Sequence, residues 1–259
     1  MTACQRQERD HRLSQIAEIV SESPREALSY LDSIDYSNLS SSDQHYFDFL
    51  SIKAKDKAYI VHKSDSLILD IISYYSNKDK NIYSEALYYG GRVYSDLGDF
   101  PTALYYFQTA LDNLSYNVSN KRLRSKILSQ TGRLLNSLRL YEEAIPYIKE
   151  AIIIEQQIND SINELYDLQL LGAVYLRAHD FPNAEAYFHI ALDKSAYLPP
   201  TYKAKSLMYL AGVKFRIGQI DSALLYIRDT PNLVNPIARN SALACAAEIY
   251  HSWSSRYSL

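Results

Sequence analysis

Apolar residues return at helical spacing along most of the chain, and residues 88–111, YYGGRVYSDLGDFPTALYYFQTAL, show one oddity in that pattern. Two adjacent glycines, Gly90 and Gly91, sit inside what otherwise reads as a helix, where a glycine costs about 1 kcal/mol against alanine. Repetition explains them. The segments GGRVYSDLGDFPTALYYFQTAL, TGRLLNSLRLYEEAIPYIKEAI and LGAVYLRAHDFPNAEAYFHIAL align. Gly91, Gly132 and Gly172 coincide, Ala103, Ala144 and Ala184 follow twelve residues later, and Ala110, Ala151 and Ala191 seven after those. Phe107, Ile148 and Phe188 share the bulky slot between the alanines, and Tyr94, Leu135 and Tyr175 sit three residues after the glycine. A fourth copy, AGVKFRIGQIDSALLYIRDT, is anchored by Ala223. The small residues predict places where two antiparallel helices touch, with Tyr94 and Phe107 wedged between, so that packing outweighs the entropy cost of the glycines.

This pattern resembles the tetratricopeptide repeat (TPR), a helix–turn–helix unit. The anchors Ala103, Ala144, Ala184 and Ala223 are 41, 40 and 39 residues apart, longer than the family's roughly 34, which predicts longer helices rather than inserted loops. Two weaker units precede them: SPREALSYLDSI carries Ala27 at the anchor, and HKSDSLILDIISYY places Ser66 there. A final ALACAAEIYHSW reads as the first helix of a seventh unit, whose apolar face would need a cover such as a second copy of the protein. The expected fold is all-α, a right-handed superhelical solenoid of antiparallel helix pairs with about six and a half units. Residues 1–10 read as a polar tether, and residues 11–259 as repeats at approximately 11–36, 41–77, 80–116, 119–158, 160–196, 200–230 and 236–259. Pro101 and Pro182 fall in first turns, where a missing N–H is harmless, and Asn235–Pro236 reads as a cap and first-turn proline. Pro146 sits one turn deeper, where it removes a main-chain bond, so its helix is expected to kink or to start later.

With 7 glycines and 8 prolines in 259 residues, breakers are scarce, which favours helices. The 24 tyrosines read as core and groove walls. A formal net charge of -3 gives no general attraction to nucleic acid or anionic lipid. The one dense basic run, NKRLRSK (residues 120–126), reads as a solvated helix start whose cations oppose the helix dipole slightly and leave room for an acidic partner. Two distant cysteines, Cys4 and Cys245, frame neither a disulfide nor a zinc site.

No phosphate-binding, dinucleotide-binding, zinc-protease or nucleophile-elbow motif is present, and the six histidines are scattered. The expectation is a non-enzyme without cofactor or metal. In a stacked array the first helices line a concave face. Positions three before, one after and four after the glycine select Tyr88, Arg92 and Ser95, then Ser129, Arg133 and Asn136, Gln169, Ala173 and Leu176, and Met208, Gly212 and Phe215. The candidate peptide-binding residues are Tyr88, Arg92, Lys126, Ser129, Arg133, Asn136, Gln169 and Phe215, with Arg92, Arg133 and a tyrosine placed to grip a carboxylate or acidic peptide. Some TPR proteins clamp a C-terminal carboxylate through asparagines one residue past the glycine. Here Arg92, Arg133, Ala173 and Gly212 hold those positions, so that clamp is not expected.

Thr2-Ala3-Cys4 resembles the end of a bacterial lipoprotein signal, which makes Cys4 a lipidation candidate. The sequence as a whole is similar to the repeat regions of envelope lipoproteins and TPR-containing membrane regulators of Gram-negative gut bacteria. That resemblance implies a non-catalytic scaffold holding a peptide or helical segment of a protein partner, lipid-anchored on the periplasmic side of the envelope, with a cytoplasmic setting as the alternative. It also implies the alternative role of a sensory region cut from a longer regulator. Nucleic acid is not an expected partner; a homodimer through the last helix is.

Overall fold

A computed structural model describes residues 9–114, 120–228 and 230. The described residues are α-helical, with short 3-10 turns at Tyr36–Asn38 and Ser195–Tyr197. The protein divides into two compact units at Leu123 and Arg124. The first contains α1 (His11–Ile19), α2 (Pro24–Asp32), α3 (Ser41–Lys57), α4 (Ser66–Tyr75), α5 (Lys80–Leu97) and α6 (Phe100–Asn113). The second contains α7 (Lys121–Ser137), which begins just before the divide, then α8 (Tyr141–Gln157), α9 (Ser161–Arg177), α10 (Phe181–Lys194), α11 (Pro200–Arg216) and α12 (Ile220–Ile227). Within each unit successive helices pack as antiparallel pairs, the arrangement of a TPR-like helical solenoid.

The helix starts follow from short polar side chains. Asp79, Asp99, Asp160 and Asp180 each accept a hydrogen bond from a main-chain N–H of the first turn that follows, and so satisfy donors the helix leaves free. Pro101 and Pro182 lie in the first turns of α6 and α10. The first helices of four pairs end in the left-handed region at Gly98, Arg139, His179 and Gly218 (φ 80°, 63°, 63° and 80°). The next N–H then reaches back to the last turn, as in Leu140 N–H to the Leu135 carbonyl at 2.9 Å. Pro146 stands inside α8, which runs unbroken through it, beginning at Tyr141 and giving up the bond that residue 146 would donate.

The pairs meet where the repeat's small residues fall. A Cβ on Gly91 would stand 2.3 Å from the Phe107 ring, one on Gly132 2.4 Å from Ile148, and one on Gly172 2.6 Å from the Phe188 ring. Gly90 is approached by Ile72 of α4 and Tyr106 of α6, both at 3.1 Å, so the adjacent glycines serve two contacts rather than one. Ala103, Ala144 and Ala184 are fully buried beside them.

Two expectations need correcting. Ser66 begins α4 exposed, and the buried contacts of that helix come from Ile68 and Ile71. Tyr94 does not wedge into the crossing: it is half-buried, stacks on Tyr106 (5.3 Å between centroids) and donates to Asp65 Oδ2 at 2.7 Å. Ala211, twelve residues before the anchor Ala223, holds the small-residue position of the fourth copy and is buried, while a Cβ on Gly212, one residue past it, would meet nothing within 4 Å. The expected seventh unit, with Cys245 and Asn235–Pro236, lies outside the described residues.

Candidate functional site

In the second unit, α7, α9 and α11 present one face, and a pocket of about 320 Å³ opens between them. Polar ties fix the spacing. Ser129 of α7 donates to Asp167 Oδ1 of α9 at 2.6 Å, and Gln169 of α9 donates from Nε2 to Ser206 Oγ of α11 at 3.0 Å. Tyr209 forms one wall. It stacks on Phe188 with centroids 4.6 Å apart, and Phe188 is the ring that occupies the gap at Gly172. The small residue of the repeat therefore sets the position of a pocket wall through two aromatic contacts. Tyr166, in tilted contact with Tyr202 at 5.7 Å, Leu170 and Ala173 complete the apolar lining.

Three cations converge on this pocket: Arg133 from α7, Arg177 from the last turn of α9 and Lys205 from α11. Among the described residues, none of the three is paired with a carboxylate within 4 Å. Surrounding protein lowers the pKa of Lys205, and the charge of Arg133 lowers it further. The Lys205 side chain remains exposed. Asn136 and Gln169 add amides to the same wall, each with an oxygen that accepts no hydrogen bond.

Beside the pocket lies a buried acidic pair that does not line it. Burial pushes the carboxyls of both Glu155 and Asp167 up. The negative charges of Asp167, Asp160 and Glu164 add to the effect at Glu155, while Ser129 and Arg133 oppose it at Asp167. Among the described residues no three His, Cys, Asp or Glu side chains are grouped to hold a metal.

The eight candidate residues part company in the structure. Arg133, Asn136 and Gln169 share the pocket, and Ser129 stands next to it as a tie between helices. Tyr88 and Arg92 belong to the first unit. Tyr88 is buried between Tyr89 and Phe107, and Arg92 donates from Nε to Asp56 Oδ1 at 2.7 Å, where Asp56 is nearly buried. Both make these contacts within their own unit. Phe215 packs on the core formed by Ala211, Ala223 and Ile227, and Lys126 is half-buried and partnered. Cys4 lies outside the described residues. The periodicity of the sequence did not point to Tyr166, Arg177, Lys205 or Tyr209. Tyr166 and Lys205 both fall six residues before the small residue of their copy, so carrying the stripe one helical turn further back finds them.

No family model matches the sequence. Regulatory protein RapG of Bacillus subtilis (strain 168) is 25% identical over 140 residues, and the matched region spans 54% of this chain but 38% of RapG. Solved structures show the same fold. The apo form of RapI superposes with a TM-score of 0.79 at 9% identity, covering 94% of this chain and 71% of that one. A Rap protein complexed with competence and sporulation factor gives 0.68 at 13%, covering 95% and 71%. A signal transduction ATPase with a tetratricopeptide repeat sensor from Pyrococcus horikoshii gives 0.75 at 17%, covering 92% of this chain and 36% of that one. The protein thus has a TPR-like helical-repeat fold. No helix among the described residues is long and apolar enough to cross a membrane.

Proposed function

We propose that the protein is a non-catalytic scaffold that holds a peptide or helical segment of a protein partner on the face of α7, α9 and α11. The observation that carries this reading is the convergence of Arg133, Arg177 and Lys205, with the amides of Asn136 and Gln169, on one pocket of ligand size. The Rap protein of similar fold is complexed with competence and sporulation factor, which supports a binding role, and the name of RapG supports a regulatory one. Phage-displayed peptides selected on the full-length protein test it. Selected peptides should lose about tenfold or more in affinity to the variant Arg133→Glu/Lys205→Glu, as judged by fluorescence polarisation. Failure to enrich any peptide, or equal binding by the variant, sinks the reading.

An envelope setting, with a lipid on Cys4, is proposed from Thr2-Ala3-Cys4 and from the resemblance to the repeat regions of envelope lipoproteins. Labelling cells with an alkyne fatty acid should mark the wild-type protein and not Cys4→Ser; equal labelling, or none, rejects the tether.

A further inference from the structure

The pocket holds an excess of positive charge that other helix faces balance. Elsewhere, cations on those faces have carboxylate partners: Lys53 with Glu85, Arg124 with Glu150, Lys194 with Glu164, Lys214 with Glu185. Arg133, Arg177 and Lys205 instead face a common space, and the repulsion between Arg133 and Lys205 is felt in the lowered pKa of the lysine. Like charges brought together without a counter-ion destabilise the unit unless something anionic arrives.

We propose that this pocket takes a carboxylate group of the bound segment, supplied by the C-terminus of a peptide or by an Asp or Glu side group. The proposal rests on the reading that this face binds peptides, and it names the chemistry at one point of contact. The flat guanidinium forks of Arg133 and Arg177 suit two carboxylate oxygens, and Lys205 adds a point charge. Asp167, close enough for Arg133 to oppose the rise that burial gives its pKa, offsets part of the positive field. The planar forks together with the apolar wall beside them suit a carboxylate on an apolar carrier better than a bare phosphate. Tyr166, Tyr209, Leu170 and Ala173 accommodate the apolar group that carries the acid. The oxygens of Asn136 and Gln169 that accept no bond are screened from solvent and need a rotation of the amide to meet a peptide N–H. These residues differ from the asparagine-based clamp of other TPR proteins, since three cations on three successive first helices take its place.

The full-length protein, labelled with nitrogen-15, is titrated with N-acetyl-tyrosine and with N-acetyl-tyrosine amide while the arginine Nε–H signals are followed. The acid should shift them at millimolar concentration, the amide should bind about tenfold more weakly, and Arg177→Met and Lys205→Met should each weaken the acid about tenfold. Both substitutions are at exposed positions, so the fold is retained, and unchanged spectra elsewhere verify this. Equal binding of acid and amide, absence of any shift, or displacement of the acid by an equal concentration of inorganic phosphate overturns the proposal. Competition by pentapeptides without acidic residues but with a free C-terminus, against amidated pentapeptides containing one Glu, then tells which source the pocket takes. If the small acid binds but no selected peptide does, the scaffold reading fails and the carboxylate site stands.

Discussion

Replacing Gly172 and Gly212 by alanine, one at a time, separates the packing explanation of the glycines from helix propensity. Both lie inside helices of the second unit, so alanine improves helix propensity by about 1 kcal/mol in each case. At Gly212 nothing lies within 4 Å of the added methyl, so that gain should appear undiminished. At Gly172 the methyl would stand 2.6 to 2.9 Å from three atoms of the Phe188 ring, which is fully buried and stacked on Tyr209. Moving that ring costs about 1–3 kcal/mol. Because the propensity gain is common to both, the two variants should differ by about 1–3 kcal/mol, or several degrees in melting temperature. Urea unfolding followed by circular dichroism measures the difference, and Phe188→Leu in the Gly172→Ala background should recover part of the loss by removing the clash. If Gly172→Ala is as stabilising as Gly212→Ala, the small residues do not mark close helix contacts and the repeat argument fails.

Other expectations follow from single contacts. The folded-state pKa of Glu155 lies above its unfolded value near 4.5, so as pH rises past that value the unfolded protein releases its proton first and stability falls. Urea midpoints measured from about pH 5 to pH 8 should therefore decline, and Glu155→Gln should flatten the slope; an unchanged slope refutes the assignment. Arg139 occupies the left-handed position that Gly98 and Gly218 hold in other copies, so Arg139→Gly should stabilise by about 0.5–1 kcal/mol, and a loss on thermal melting would contradict this. Arg92→Ala leaves Asp56 nearly buried without its partner and should cost about 3 kcal/mol, much of it recovered in Arg92→Ala/Asp56→Ala; a double variant no more stable than the single one argues against the pair.

The helix contacts were legible in the sequence because they repeat. Gly91 with Phe107, Gly132 with Ile148 and Gly172 with Phe188 recur at one spacing, and a steric rule that recurs can be read from a single sequence. Pairing between polar side groups recurs only in part: Ser129 with Asp167 and Gln169 with Ser206 join the same positions of successive copies, but their residue types differ. Asp56 reaches Arg92 across 36 residues in one pair only, and nothing in the periodicity announces it. The same stripe that placed Arg133 in the pocket therefore placed Arg92 in an ion pair, since the face of a helix is set by period and its neighbour by tertiary packing. Ser66 keeps the spacing of the anchors without their contact, because its copy puts Ile68 and Ile71 there instead.

Packing and binding meet at one place in the second unit. Phe188 fits because residue 172 has no side chain, Tyr209 stacks on Phe188, and Tyr209 walls the pocket where Arg133, Arg177 and Lys205 face each other. The tyrosine is itself crowded enough that burial raises its pKa, although Arg177 and Arg133 pull it back, which places it between the core and the cations. A change at position 172 should then reach the pocket without touching a ligand. Gly172→Ala should weaken N-acetyl-tyrosine binding, whereas Gly212→Ala should not. If both bind the acid like the wild type while only Gly172→Ala loses stability, the stack supports the fold alone and does not hold the wall of the site.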